Sequence, residues 1–202
     1  MAALTPKRIA ELLREYYPDP SDHQLLQLST YLDLLLKWNA RTNLTAIRGP
    51  EEIVRRHFGE SLFLAAQLPA CSTLLDLGSG AGFPGVPVQL ALPELGVTLA
   101  ESQNKKASFL REVVRTLGLS TEVWADRVET MPAERRFGVV ALRAVDNPEA
   151  ALRFARERLL PGGLIAHLTS DPGTDGRIIA VPGSHRSYVH LVCSNLPVPR
   201  GT

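Results

Sequence analysis

The sequence predicts an α/β protein, with a mainly parallel sheet flanked by helices and a helical extension in front of it. Three observations carry this. Up to residue 68 the apolar residues recur at the three- and four-residue spacing of amphipathic helices. From residue 72 short apolar runs alternate with helical stretches, the pattern of a parallel sheet. A glycine-rich turn joins the first of those strands to the helix after it, where folds of this class hold their ligands. The chain therefore divides into an extension, 1–68, and a core, 69–202, that closes in a short β-hairpin.

Each element has a local cause. Thr5 before Pro6 is an N-cap with proline at the first helical position, and Ile9, Leu12, Leu13 and Tyr16 form its apolar stripe. Pro18 and Pro20 end that helix. Ser21 with Gln24 is a capping box opening a helix through Leu25, Leu28, Leu32, Leu35 and Leu36. A polar segment, 39–45, follows, and Pro50 starts a third helix running to about residue 67. Strands are predicted over 73–77, 96–101, 121–125, 137–142 and 164–168. Helices fall at 84–92, 104–117 and 148–160 between them. Weaker strands at 177–181 and 187–193 suit a terminal antiparallel hairpin.

Composition narrows the function. With 22 Lys plus Arg against 21 Asp plus Glu in 202 residues, the net charge is +1. Any contact with nucleic acid must then use charge gathered on one face. Cys71 and Cys193 are too few for a disulfide framework, which predicts reduced thiols and a cytoplasmic protein. No apolar run approaches the ~18 residues of a membrane span. Lys7 and Arg8 precede an interrupted amphipathic pattern, so no signal peptide is expected. The histidines show no metal-ligand spacing, and no metal is predicted.

The most informative stretch is Leu74-Leu-Asp-Leu-Gly-Ser-Gly-Ala-Gly-Phe-Pro-Gly85. Gly78, Gly80 and Gly82 permit tight turning and close backbone approach. A dinucleotide fingerprint would need glycine where Phe83 stands, and no Lys-Ser/Thr follows, so this is not a phosphate-cradling P-loop. Asp76, two residues before the first glycine, suits a ligand with an ammonium group. Glu101, at the end of the second strand, can accept two hydrogen bonds from ribose hydroxyls. The third strand ends at Ala125-Asp-Arg-Val-Glu129, where polar groups including Glu129, beside the apolar Val128, suit an adenine edge. Together these elements point to S-adenosyl-L-methionine. Arg143, at the end of the fourth strand, is placed to hold the methionine carboxylate or a substrate phosphate.

Five motifs span residues from about 31 to 165: Lys37-Trp-Asn-x-x-x-Asn-Leu-Thr45, Arg56-His57 with Glu60-Ser61, the loop from Asp76 to Gly85, Arg127-Val-Glu129, and Arg143-Ala144. In these the chain resembles the bacterial family once called glucose-inhibited division protein B, the small-subunit ribosomal RNA guanine-N7 methyltransferases. The resemblance implies a class I S-adenosylmethionine-dependent methyltransferase (Rossmann-like) fold and methyl transfer to guanine N7 in 16S rRNA. It also implies cofactor contacts at Gly78, Phe83, Val128, Glu129 and Arg143, with Glu101 at the ribose. The chain departs from the family after the fifth strand, where His167-Leu-Thr-Ser170 replaces a Lys-Gly pair, and at Val189-His190, where the family has Arg-His. The segment between these strands is also short.

Guanine N7 has a lone pair and no proton, so its methylation needs positioning rather than a general base, and no catalytic residue is assigned. Leu142-Arg-Ala-Val145 lacks the Asn/Asp-Pro-Pro-aromatic motif of adenine-N6 enzymes, and neither cysteine stands where a cytosine-C5 nucleophile would. Segment 37–57 carries five bases against two acids. Candidate RNA contacts are Asn39, Arg41, Asn43, Arg48, Arg55 and Arg56, with Lys105 and Lys106 on the helix after the second strand. The partner is then 16S rRNA or the small ribosomal subunit, met by a monomer. The competing functions are methylation of a small molecule or protein, and a pseudoenzyme that binds without turnover.

Overall fold

A computed structural model of the chain describes residues 3–145, 147–184 and 186–194. The C-terminal bound of the predicted core, residue 202, lies outside them. Helix α1 (Pro6–Leu13) is capped by Thr5, whose hydroxyl accepts from the Arg8 N–H at 3.2 Å. Helix α2 (Asp22–Thr42) opens on the predicted capping box, with both reciprocal bonds between Ser21 and Gln24 formed. It does not stop at the polar segment. It continues to Thr42 and ends on Asn43 in the left-handed region, φ 47°. Asparagine tolerates that conformation better than most residues.

The predicted third helix is three pieces in one rod: α3 (Pro50–Ile53), a π-helical turn (Val54–Gly59) and α4 (Glu60–Ala65). A π turn carries one more residue than an α turn and is often found at functional sites. Here it leaves Phe58, Gly59, Glu60 and Ser61 all buried.

The sheet contains β1 (Thr73–Leu77), β2 (Gly96–Ala100), β3 (Glu122–Trp124), β4 (Phe137–Arg143), β5 (Leu159–Thr169), β6 (Arg177–Ala180) and β7 (Tyr188–Cys193). Its order is β3-β2-β1-β4-β5-β7-β6. The first five strands are parallel, and β7 runs antiparallel to both β5 and β6. The terminal hairpin forms, with β7 inserted between its partner and the main sheet. Strand β5 is longer than predicted. Its register against β4 jumps from Phe137↔Leu159 to Val139↔Leu164, so residues 160–163 bulge out of the ladder.

Side chains alternate between two cores. Leu74, Leu99, Val139, Ala166 and Val189 face α1, α2, α5 (Gly85–Ala91) and α6 (Asn104–Leu117), so the N-terminal helices share one apolar core with the sheet. Leu75, Leu77, Val140, Leu142 and Ile165 face a smaller core under Ala155 of α7 (Pro148–Glu157). The last predicted helix ends at Glu157 rather than residue 160. Among the described residues no helix is long and apolar enough to cross a membrane.

The parallel register sets the site. Leu77 lies opposite Ala100 on one side and Leu142 on the other, so the glycine loop, Glu101 and Arg143 emerge at one carboxyl edge.

Candidate active site

The glycine loop turns back onto β2. The N–H groups of Gly78 and Ser79 both donate to the Ala100 carbonyl at 3.0 Å. Gly80 N–H donates to Glu101 Oε2 at 3.0 Å, and Gln103 N–H to Glu101 Oε1 at 2.8 Å. Glu101 is thus a buried carboxylate bound to the loop it adjoins. Each of its oxygens retains a further acceptor site.

The three loop glycines all have positive φ, at 72°, 56° and 92° for Gly78, Gly80 and Gly82, but they serve different ends. A Cβ at Gly78 would meet nothing within 4 Å, and one at Gly80 only the Gly78 carbonyl at 3.9 Å. These two line open space at the sheet edge, a cradle that side chains would fill. A Cβ at Gly82 would instead lie 2.7 Å from the Tyr31 hydroxyl and 2.8 Å from Val86. Gly82 allows the loop to lie on the helical extension.

Asp76 sits beneath this loop, fully buried, with Oδ2 accepting from Gly85 N–H at 2.9 Å and Oδ1 without a partner. Burial pushes its pKa up to about 7, against the opposing pull of the Gly85 and Ser79 bonds. A buried carboxyl with one orphaned oxygen is suited to receive a cationic group.

Phe83 does not line the open side of the loop. Its ring stacks on His57 at 4.7 Å between centroids, on Tyr31 at 5.5 Å and near Phe58 at 5.7 Å. Any contact of Phe83 with a ligand is then left to its backbone. The Tyr31 hydroxyl donates to the Ala81 carbonyl, so α2 holds the underside of the loop directly. In the sequence Tyr31 carries no signal of this role, because in α2 it reads only as one more core position. His57 pairs its Nε2 with Thr45 Oγ1 at 2.7 Å, and its Nδ1 has no partner. Burial first, then the nearby charges of Arg143 and Arg56, push its pKa down to about 3, so the ring is neutral at physiological pH.

At the end of β4, Arg143 Nη2 meets Glu60 Oε2 at 2.6 Å and also donates to the Arg56 carbonyl at 3.0 Å. Glu60 is 3% exposed, and its other oxygen accepts from Ser187 Oγ at 2.9 Å. One carboxylate therefore ties α4, β4 and the segment before β7 together. The Arg143 Nη1 is buried without a partner, and burial lowers the guanidinium's pKa. Ala144 follows at φ 48°, a strained conformation for a residue with a Cβ. These groups border a cavity of about 920 Å³ over the carboxyl ends of β4 and β5, lined also by Arg56, His167, Thr169, Asp171 and Arg186.

Val128 and Glu129 lie on a 3-10 turn, Val128–Thr130, with Glu129 exposed. The turn is anchored just beyond by the buried Arg158, which donates to the carbonyls of Pro132 at 2.6 Å and Met131 at 2.9 Å.

The predicted RNA contacts separate. Asn39 is 3% exposed and spends its amide on Thr45, donating to the carbonyl at 3.1 Å and accepting from the N–H at 3.0 Å. It braces the 43–45 turn and is not presented to a partner. Arg48 ties to the Asn39 carbonyl and to Asn43 Oδ1, at 3.1 and 2.9 Å. Arg55 and Arg56 make exposed pairs with Glu51 at 3.2 Å and Glu52 at 3.8 Å, contacts weak enough to be exchanged. Arg41 and Lys105 are exposed and Lys106 is half-buried. Arg56 alone of this group lines the cavity.

The strand order, the glycine loop after β1 and the acid after β2 define the class I methyltransferase fold. Solved structures share it. An RNA methyltransferase from Salinibacter ruber in complex with S-adenosyl-L-homocysteine matches at TM-score 0.52 and 19% identity, over 64% of this chain and 85% of that one. A precorrin-6y C5,15-methyltransferase from Geobacter metallireducens matches at TM-score 0.52 and 10% identity, over 66% and 86%. Sequence relationship is closer than this. The profile of the family described as rRNA small subunit methyltransferase G matches residues 24–174. The ribosomal RNA small subunit methyltransferase G of Myxococcus xanthus is 40% identical over 158 residues, 76% of this chain and 73% of the relative. That of Chloroflexus aggregans is 45% identical over 159 residues, 75% and 67%. The chain belongs to the rRNA small subunit methyltransferase G family.

Proposed function

We propose that the protein transfers the methyl group of S-adenosyl-L-methionine to N7 of a guanine in 16S ribosomal RNA, acting in the cytoplasm as a monomer. The carrying observation is Glu101, a buried carboxylate hydrogen-bonded to the loop whose Gly78 and Gly80 face open space. It leaves two acceptor sites for ribose hydroxyls beside a cradle of backbone. The residues fit the cofactor along the whole sheet edge. Asp76 offers its free oxygen to the ammonium group, Val128 and Glu129 flank the adenine, and Arg143 takes the carboxylate or a substrate phosphate through Nη1.

When bound, the cofactor supplies a methyl on a cationic sulfur. The protein's part is to align N7 with that methyl and keep water out. No residue has to take a proton, since N7 carries none. His57 accords with this, being neutral and engaged with Thr45 rather than set in the cavity. The cavity over β4 and β5 has room for a nucleotide, and Arg56 and Arg186 at its lining are positioned for phosphates.

The test is transfer of tritiated methyl from the cofactor to deproteinised 16S rRNA and to intact small subunits, side by side. Label in 16S rRNA from either substrate is expected. Label that reaches only small molecules or protein would overturn the reading.

A further inference from the structure

Among the described residues two carboxylates line the cavity over the ends of β4 and β5, Glu60 and Asp171. Glu60 is consumed: one oxygen holds the Arg143 guanidinium at 2.6 Å and the other the Ser187 hydroxyl at 2.9 Å. The Asp171 side chain is exposed and, among the described residues, enters no hydrogen bond or ion pair. Its backbone is nonetheless fixed. The Thr169 hydroxyl accepts from Asp171 N–H at 3.1 Å and donates to its carbonyl at 3.2 Å, pinning the residue to the last position of β5. A carboxylate with free acceptors is thus held two residues past the end of β5, beside a cavity lined also by the guanidiniums of Arg56, Arg143 and Arg186.

Guanine is the base that such a group selects. With N7 turned toward the methyl donor, its opposite edge offers two parallel donors, N1–H and the N2 amino group, which one carboxylate can accept together. Adenine has an acceptor at N1 and no amino group at C2, so the same carboxylate would face a lone pair. Reading this edge requires a base that is unpaired or extruded from its helix. A carboxylate here also lies near a ring that gains positive charge as N7 is methylated.

We propose that Asp171 is the specificity-determining residue for guanine, accepting hydrogen bonds from N1–H and the N2 amino group of the target base. The proposal rests on the guanine-N7 reading and deepens it.

The experiment compares guanosine with inosine, which lacks only the N2 amino group, at the methylated position of a synthetic 16S rRNA fragment. Both RNAs are given to the full-length protein and to Asp171→Asn. The wild type is expected to methylate the inosine RNA with kcat/KM about 10- to 100-fold lower, the range for a hydrogen bond to a charged group. In Asp171→Asn the guanosine RNA should fall by a similar factor and the two RNAs should become nearly equal, with cofactor affinity unchanged. A merely structural role would lower both RNAs alike and leave their ratio as in the wild type. An unchanged ratio, or full activity of Asp171→Asn on guanosine RNA, overturns the assignment of Asp171. No methylation of either RNA by the wild type overturns both the assignment and the guanine-N7 reading beneath it.

Discussion

The carboxylate of Glu60 and the guanidinium of Arg143, 83 residues apart, meet at 2.6 Å with side chains 5% and 12% exposed. The contact fastens the helical extension to the working edge of the sheet. Removing one partner from a buried pair strands the other charge, which costs about 3–5 kcal/mol. Glu60→Ala should therefore lower unfolding stability by about that amount in urea titration. Ser187→Ala, which breaks only the outer arm, a hydrogen bond to a charged group, should cost about 1.5–3 kcal/mol. A Glu60→Ala loss below 1 kcal/mol would show that the pair contributes nothing net.

The loop glycines should respond differently to the same substitution. Gly82→Ala meets Tyr31 and Val86 at under 3 Å in addition to the strain of positive φ, so its effect should be chiefly on thermal stability. Gly78→Ala meets no protein atom and carries only the backbone cost, about 1–2 kcal/mol. Its added methyl enters the cradle, and calorimetry should show a cofactor affinity at least tenfold weaker. Equal affinities for the wild type and Gly78→Ala would remove the loop's open face from the cofactor site.

Asp76 predicts a pH dependence of binding. Its folded pKa, about 7, lies above the ordinary carboxyl value of 3.8, so the stability it contributes is full below 3.8 and is lost as pH rises through about 7. An ammonium group at its free oxygen favours the ionised form. Cofactor affinity should then rise from pH 6 to 8, with proton release detectable by calorimetry in buffers of different ionisation enthalpy. Asp76→Asn should abolish that release; a release that persists would assign it elsewhere.

His57 carries the opposite sign. Its pKa falls from 6.5 to about 3, so its contribution is full above 6.5 and is lost as pH falls toward 3. His57→Gln should make acid unfolding less steep over that window. At saturating cofactor and RNA, single-turnover methylation should stay flat from about pH 6 to 8.5 in the wild type, because no base titrates in the chemical step. A rate that follows a group near pH 6.5, and loses that dependence in His57→Gln, would mean a base-dependent acceptor.

Much of this architecture is legible in the residues themselves. The Ser21–Gln24 box, the Thr5 cap and the Asn104–Leu117 helix follow from local rules and are where those rules put them. The glycine loop and Glu101 could be paired in advance because parallel strands place successive carboxyl ends together. What stayed hidden depends on tertiary packing. The π turn at Val54–Gly59 has no sequence signal of its own, and Glu60, buried against Arg143, follows directly after it. Tyr31 looks like any core position until the loop folds onto it. Asn39 reads as a polar loop residue, yet α2 runs past it and buries it against Thr45. The basic residues of 37–57 were legible as charge, but not that Arg48 is tied back to Asn39 and Asn43 while Arg56 reaches the cavity.

Methylation at guanine N7 leaves a chemical mark on the RNA that can be read by chain scission. 16S rRNA methylated by the protein is reduced with borohydride and treated with aniline, which breaks the chain at N7-methylguanosine because the cationic ring is labile to reduction. One new scission is expected at a single guanine, dependent on both the protein and S-adenosylmethionine. Tritium incorporated into the RNA without any scission would place the methyl on an exocyclic amine, a ring carbon or a hydroxyl, and would contradict methylation at N7.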